Sequence, residues 1–145
     1  MTYDETKAYL SQYYYAYQKV DSLKEELRCL EELANGTQGI NYDEPVVQKS
    51  RSLKAPFIRY IDRIQKKEEE LSKKVEGLLN LKDEIHEAIA TVNDPVMELV
   101  LTYRYINFWE WCDIASKLHY AESYVYKLHR RAISLVLIKE DSKRQ

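Results

Sequence analysis

The sequence predicts an all-α chain, with a long N-terminal antiparallel helical hairpin of coiled-coil type followed by a C-terminal three-helix domain that contains a helix-turn-helix. Three observations carry this expectation. Three glycines and three prolines in 145 residues are too few punctuators for a many-stranded sheet. Two long segments hold apolar residues in alternating steps of four and three. Residues 111–132 read as two short helices on either side of a three-residue turn. The pattern divides the chain into a hairpin over 1–93 and a helix-turn-helix domain over 94–145.

The first helix is expected over about residues 2–34. Tyr9, Tyr13, Ala16, Val20, Leu23, Leu27, Leu30 and Ala34 form an unbroken seam of period 3.5, the coiled-coil repeat. Glu25, Glu26, Arg28, Glu31 and Glu32 flank it as a wet outer face. Asn35-Gly36 is the expected stop, since both residues tolerate the left-handed conformation of a C-terminal cap. Tyr13, Tyr14, Tyr15 and Tyr17 suggest an aromatic platform for bases, but on a helix they point in different directions, so packing is the expected role.

Residues 35–55 sustain no period and read as a connector, with Val46 to Leu53 as a candidate short helix. The second long helix is expected over about 56–92, with Pro56 in its first turn. Its seam is Phe57, Ile61, Ile64, Glu68, Leu71, Val75, Leu78, Lys82, Ile85, Ile89 and Val92, with Glu68 and Lys82 as polar breaks that can set register. At about 1.5 Å per residue each helix runs to roughly 50 Å. Folding one back on the other buries both seams; pairing with a second copy buries them equally well, because heptads define an interface and not a partner.

Asn93-Asp94-Pro95 marks the next boundary, with Asp94 as a cap and Pro95 at the first helical position. A helix through Val96, Leu99, Val100 and Tyr103 to about Ile106 follows. Ile114, Ala115 and Leu118 then give a short helix its apolar edge, and Val125, Leu128, Ala132 and Leu135 give one to the last helix, with Val136-Leu137-Ile138 prolonging its apolar end. His119-Tyr120-Ala121 is the turn between them. Two helices crossing over so short a turn need a small residue at the contact, which Ala115 supplies opposite Val125. Trp109 and Trp111 are expected to pack, and Lys139 to Gln145 to fray.

The formal net charge is −2, unevenly spread: residues 1–102 hold 14 Lys/Arg against 19 Asp/Glu, and residues 103–145 hold 8 against 5. A basic C-terminal module on an acidic N-terminal part points toward nucleic acid. No apolar run approaches the roughly 20 residues that span a bilayer and no signal peptide opens the chain, so no membrane contact and a cytoplasmic location are expected. Cys29 and Cys112 lack paired spacing and are expected as reduced thiols. His86, His119 and His129 lack metal-site spacing, and no Gly-rich loop can cradle a phosphate, so neither catalysis nor a cofactor is expected.

The run Leu101-Thr-Tyr-Arg-Tyr-Ile-Asn-Phe-Trp-Glu-Trp-Cys-Asp-Ile-Ala-Ser-Lys-Leu, with Val125-Tyr-Lys-Leu-His-Arg-Arg-Ala, resembles the sigma-factor region 4 type of helix-turn-helix. The whole chain is similar to a family from Gram-positive phages and prophages akin to the ArpU and RinA late-gene transcription regulators. The motif resemblance covers about residues 95–138; the rest matches by architecture and heptads. This sequence departs from the pattern at His119 (glycine in the family), at Ala121 (a Ser or Thr cap, unless Ser123 caps one turn later) and at Phe108 (glycine). It also carries Glu122, Ser123 and Tyr124 where sigma-like domains often place arginine.

The resemblance implies promoter DNA binding, RNA polymerase as a further contact, and no catalysis. Residues near the start of a recognition helix face the major groove: Glu122, Ser123, Tyr126 and Lys127. Lysine suits guanine, glutamate a cytosine amino group, serine either, and tyrosine a thymine methyl or a phosphate. Arg130 and Arg131 are placed for phosphates, with Lys117 and His119 as secondary phosphate candidates. The competing reading makes all eight ordinary solvated helix residues. The expected function is a phage or prophage transcription regulator that binds double-stranded DNA, with the hairpin as an oligomerisation or partner-binding arm. The alternatives are a DNA-packaging factor of the small-terminase kind and a coiled-coil interaction protein without DNA binding.

Overall fold

In a computed structural model of the chain, the structure describes residues 2–39 and 47–139, and the side chains among them outside 37–39 and 47–56. Described in this way, the chain is all-α. Helices α1 (Tyr3–Gly39) and α2 (Val47–Ala90) form the long pair, and α3 (Pro95–Leu101), a π-helical turn (Thr102–Ile106), α4 (Trp111–Leu118) and α5 (Glu122–Leu135) follow. No described helix is long and apolar enough to cross a membrane.

Helix α1 opens on a capping box: Glu5 N–H donates to Thr2 Oγ1 at 3.2 Å, and Thr2 N–H donates to Glu5 Oε2 at 3.1 Å. It does not stop at Asn35-Gly36 but runs on to Gly39. Gly36 has no positive φ, and nothing lies within 4 Å of where its Cβ would be. Glycine permits a left-handed cap without requiring one, and inside a helix it costs only about 1 kcal/mol. Helix α2 begins at Val47, not at Pro56. An internal proline removes one ladder hydrogen bond at a cost of about 3 kcal/mol, yet leaves the turns before it free to be helical. The part of the expected connector over 40–46 and the tail beyond 139 lie outside the described residues.

The packing gathers into two compact units, Met1–Tyr17 with Leu78–Gln145, and Gln18–Gly77. The sequence pattern changes at 93/94, but packing groups the first turns of α1 and the last turns of α2 with the C-terminal helices.

In the unit of residues 18–77 the seams face each other. Val20, Ala34 and Ile64 are buried, and Leu23, Leu27, Leu30, Leu71 and Val75 are half-buried. Ile61, a seam position by heptad, is exposed, and so is Glu68. Its neighbour Lys67 makes the cross-helix contact instead, with Nζ 2.9 Å from Glu26 Oε2. The Glu26 carboxylate keeps the Lys67 ammonium above its usual pKa, first through this hydrogen bond. Arg28 pairs along α1 with Glu25 and Glu32.

The other unit holds the main core: Leu10, Ile85, Val100, Leu101, Ile114, Val125 and Ile133 are all at most 1 % exposed. Burial of such a side chain stabilises by about 1.5–3 kcal/mol. Helix α2 ends in a turn in which Thr91 Oγ1 donates to the Ala88 carbonyl, and Asn93 takes φ 57°. Asp94 then caps α3, its Oδ1 accepting from Val96 and Met97 N–H at 3.0 Å each, with Pro95 in the first turn as expected.

Helix α5 stops at Leu135, so Val136, Leu137 and Ile138 do not prolong it. Val136 is extended, and Leu137 N–H donates to Thr91 Oγ1 at 2.9 Å. That side-chain acceptor draws the chain back to the end of α2.

Candidate nucleic-acid interface

The two helices of the proposed motif pack as the spacing requires. Ala115 and Val125 are buried at 6 % and 0 % exposure, and His119 holds the turn at φ 61°, ψ 41°. Tyr120 N–H donates to the Ala115 carbonyl at 3.0 Å, closing the end of α4 in a Schellman-type pattern. Histidine thus occupies a left-handed position that glycine fills without strain. Ala121 is the N-cap of α5 and supplies no side-chain acceptor. Ser123 lies inside the first turn and does not replace it.

All eight candidate residues are exposed. Lys117 is on the last turn of α4 and His119 in the turn; the other six lie on α5. The buried stripe of α5 is Val125, Leu128, His129, Ala132 and Ile133. Opposite it, Ser123, Lys127 and Arg130 follow at i, i+4 and i+7 and form one outward ridge. Arg131 lies on one flank of that ridge, with Tyr124. Glu122 and Tyr126 lie on the other, where the Tyr126 hydroxyl donates to Glu122 Oε1 at 3.4 Å. Among the described residues none of Lys117, Lys127, Arg130 and Arg131 forms an ion pair.

The aromatic side chains brace this surface. The Trp111 ring lies 5.1 Å from Tyr126 and 4.8 Å from His129, and Arg104 sits over its face at 4.5 Å. Arg104 Nη1 also donates to the Trp109 carbonyl at 2.9 Å, and Trp109 stacks on Tyr103 at 4.5 Å. Both tryptophans are therefore packing groups. Phe108, at φ 62°, meets Tyr13, Tyr14 and Tyr17 at 5.2–5.4 Å. That cluster explains the phenylalanine: three ring contacts offset the strain that glycine would avoid.

His129 is the buried polar centre of α5, at 3 % exposure. Its Nε2 is 2.7 Å from the Tyr105 hydroxyl and its Nδ1 is 3.4 Å from the Tyr3 hydroxyl. Burial, then the positive charges of Lys7, Arg104 and Arg130, push its pKa down to about 4. At neutral pH it is an uncharged imidazole that accepts from one phenol and donates to the other. The shorter contact suits Tyr105 as donor to Nε2, with Nδ1–H directed at Tyr3. Burial raises the Tyr105 phenol in turn, so it keeps its proton.

Two basic side chains beside α5 escape a linear reading. Lys7 comes from α1, 120 residues before Lys127, and Arg104 from the π-helical turn. The one sequence signal for Arg104 is its place in the Tyr103-Arg-Tyr105 run ahead of Trp109.

A family model described as a protein of unknown function (DUF1492) matches residues 46–136. No curated protein and no solved structure shows a significant match.

Proposed function

The chain belongs to the DUF1492 family, and from that premise and the geometry above we propose that it is a phage or prophage transcription regulator that binds double-stranded promoter DNA through α4 and α5. The observation that carries this reading is the outward ridge of α5, where Ser123, Lys127 and Arg130 are exposed, with no carboxylate partner among the described residues, on the second helix of a tightly turned pair. In a helix-turn-helix that surface enters the major groove. Lys127 serves as a guanine donor and Glu122 as a cytosine acceptor; Arg130, Arg131 and Lys117 neutralise phosphates. The protein acts by occupancy and contact, without a chemical step.

In this reading α1 and α2, over residues 18–77, are the arm that meets RNA polymerase or a second copy. Supporting it is a groove of about 610 Å³ floored by Cys29, Leu30 and Leu33 and rimmed by Glu25, Arg63 and Lys66. Such an apolar floor with a charged rim is the anatomy of a protein interface.

The test is selection of bound duplexes from fragmented phage and host DNA, followed by a reporter driven by the enriched sequence. Lys127→Ala and Arg130→Ala are expected to abolish the regulatory effect of the wild type on that reporter. Unchanged output with both variants overturns the reading.

A further inference from the structure

We propose that the cleft bounded by Lys7, Ser11, Tyr14 and Tyr15 of α1 and by Arg104 and Phe108 binds a backbone phosphate of the same DNA duplex, so that the N-terminal helix is part of the nucleic-acid interface. This rests on the DNA-binding reading and extends it to residues far from the helix-turn-helix in sequence.

The cleft lies within one compact unit and has a volume of about 300 Å³. That is roughly ten times the share of one water in the liquid, room for a phosphodiester with part of its sugar. Its donors fit an anion. Lys7 is exposed and without an ion pair among the described residues. Arg104 is locked by the Trp109 carbonyl on one nitrogen and by the Trp111 ring on its face, which leaves further N–H groups of its fork to donate. Tyr14 and Tyr15 line the cleft as well. Ser11 supplies no donor, because its hydroxyl proton is spent on the Lys7 carbonyl at 2.8 Å. Glu110 is the one carboxylate on the lining, so two cations outweigh it.

Position links the cleft to the duplex. Arg104 covers the ring of Trp111, which opens α4 and touches Tyr126 on the edge of the proposed reading face. The first helix of such a motif crosses the phosphate backbone. A strand passing the start of α4 would meet Arg104, and Lys7 lines the same cleft. Lys7, Arg104 and Arg130 each lie near enough to the buried His129 ring for their charges to lower its pKa, which places the two cations of the cleft in the neighbourhood of α5.

The test is fluorescence anisotropy of the full chain on a duplex across a salt series. Lys7→Ala and Lys7→Gln are each expected to weaken binding roughly three- to tenfold and to reduce the slope of log affinity against log salt by about one. Lys7→Arg is expected to retain both, and Lys19→Ala, on an exposed face of α1 outside the cleft, to change neither. If the Lys7 variants match wild type while Lys127→Ala still weakens binding, the phosphate site is overturned and the DNA reading stands. If wild type shows no salt-dependent binding, both fall.

Discussion

The Tyr105 hydroxyl and the His129 imidazole share a 2.7 Å hydrogen bond in the interior, joining the π-helical turn to α5. His129 is 3 % exposed, and its pKa of about 4 lies well below the value near 6.5 that it recovers on unfolding. The unfolded chain therefore binds the proton more readily. Stability from this site is fully present above about pH 6.5 and is lost as pH falls through 4. Between pH 7.5 and 5 the loss is on the order of 2 kcal/mol. Denaturant midpoints over that range are expected to fall for wild type and to fall less for His129→Phe. Parallel profiles for the two proteins would rule the site out as the source.

Phe108 trades backbone strain for ring packing on Tyr13, Tyr14 and Tyr17. Phe108→Ala keeps the strain and loses the rings, and is expected to cost about 2 kcal/mol or more. Phe108→Gly loses the rings and relieves the strain. Thermal melts should rank it above Phe108→Ala by about 1 kcal/mol, the reverse of the order of the two residues in a helix.

The turn of the motif is open to improvement by the same reasoning. Ala121→Ser gives α5 the capping oxygen it lacks and is expected to stabilise by about 1 kcal/mol. His119→Gly relieves a left-handed side chain and is expected to raise Tm. Unchanged or lowered melting temperatures for both would contradict the geometry described for the turn.

Asp94 caps α3 with two hydrogen bonds of 3.0 Å. Asp94→Ala is expected to cost about 1–2 kcal/mol in denaturant unfolding, and Asp94→Asn to recover most of it.

Much of this fold is legible in the sequence because heptads and caps are local. The α1 seam from Tyr9 to Ala34 is buried or half-buried as spaced, and Asp94-Pro95 starts a helix. Helix ends at Asn35-Gly36 and Pro56 were not legible, since those residues permit a break without enforcing one. Glu68 fits the heptad by number, yet the cross-helix pair forms from Lys67. Thr6 and Leu10 are buried beside the seam, on a face of α1 that only the tertiary fold defines. The ridge of Lys127 and Arg130 follows from i, i+3 spacing, whereas Lys7 and Arg104 come to line one cleft only through tertiary packing that no linear pattern records.

The most direct test of the central claim is the salt dependence of duplex binding for wild type against Lys127/Arg130/Arg131→Ala. All three residues are exposed, so the variant is expected to keep the wild-type Tm. If α5 lies on DNA, log affinity falls with log salt and the triple variant flattens that slope by about two to three counterions. A slope unchanged by the triple substitution, or no binding by wild type even at low salt, would contradict it.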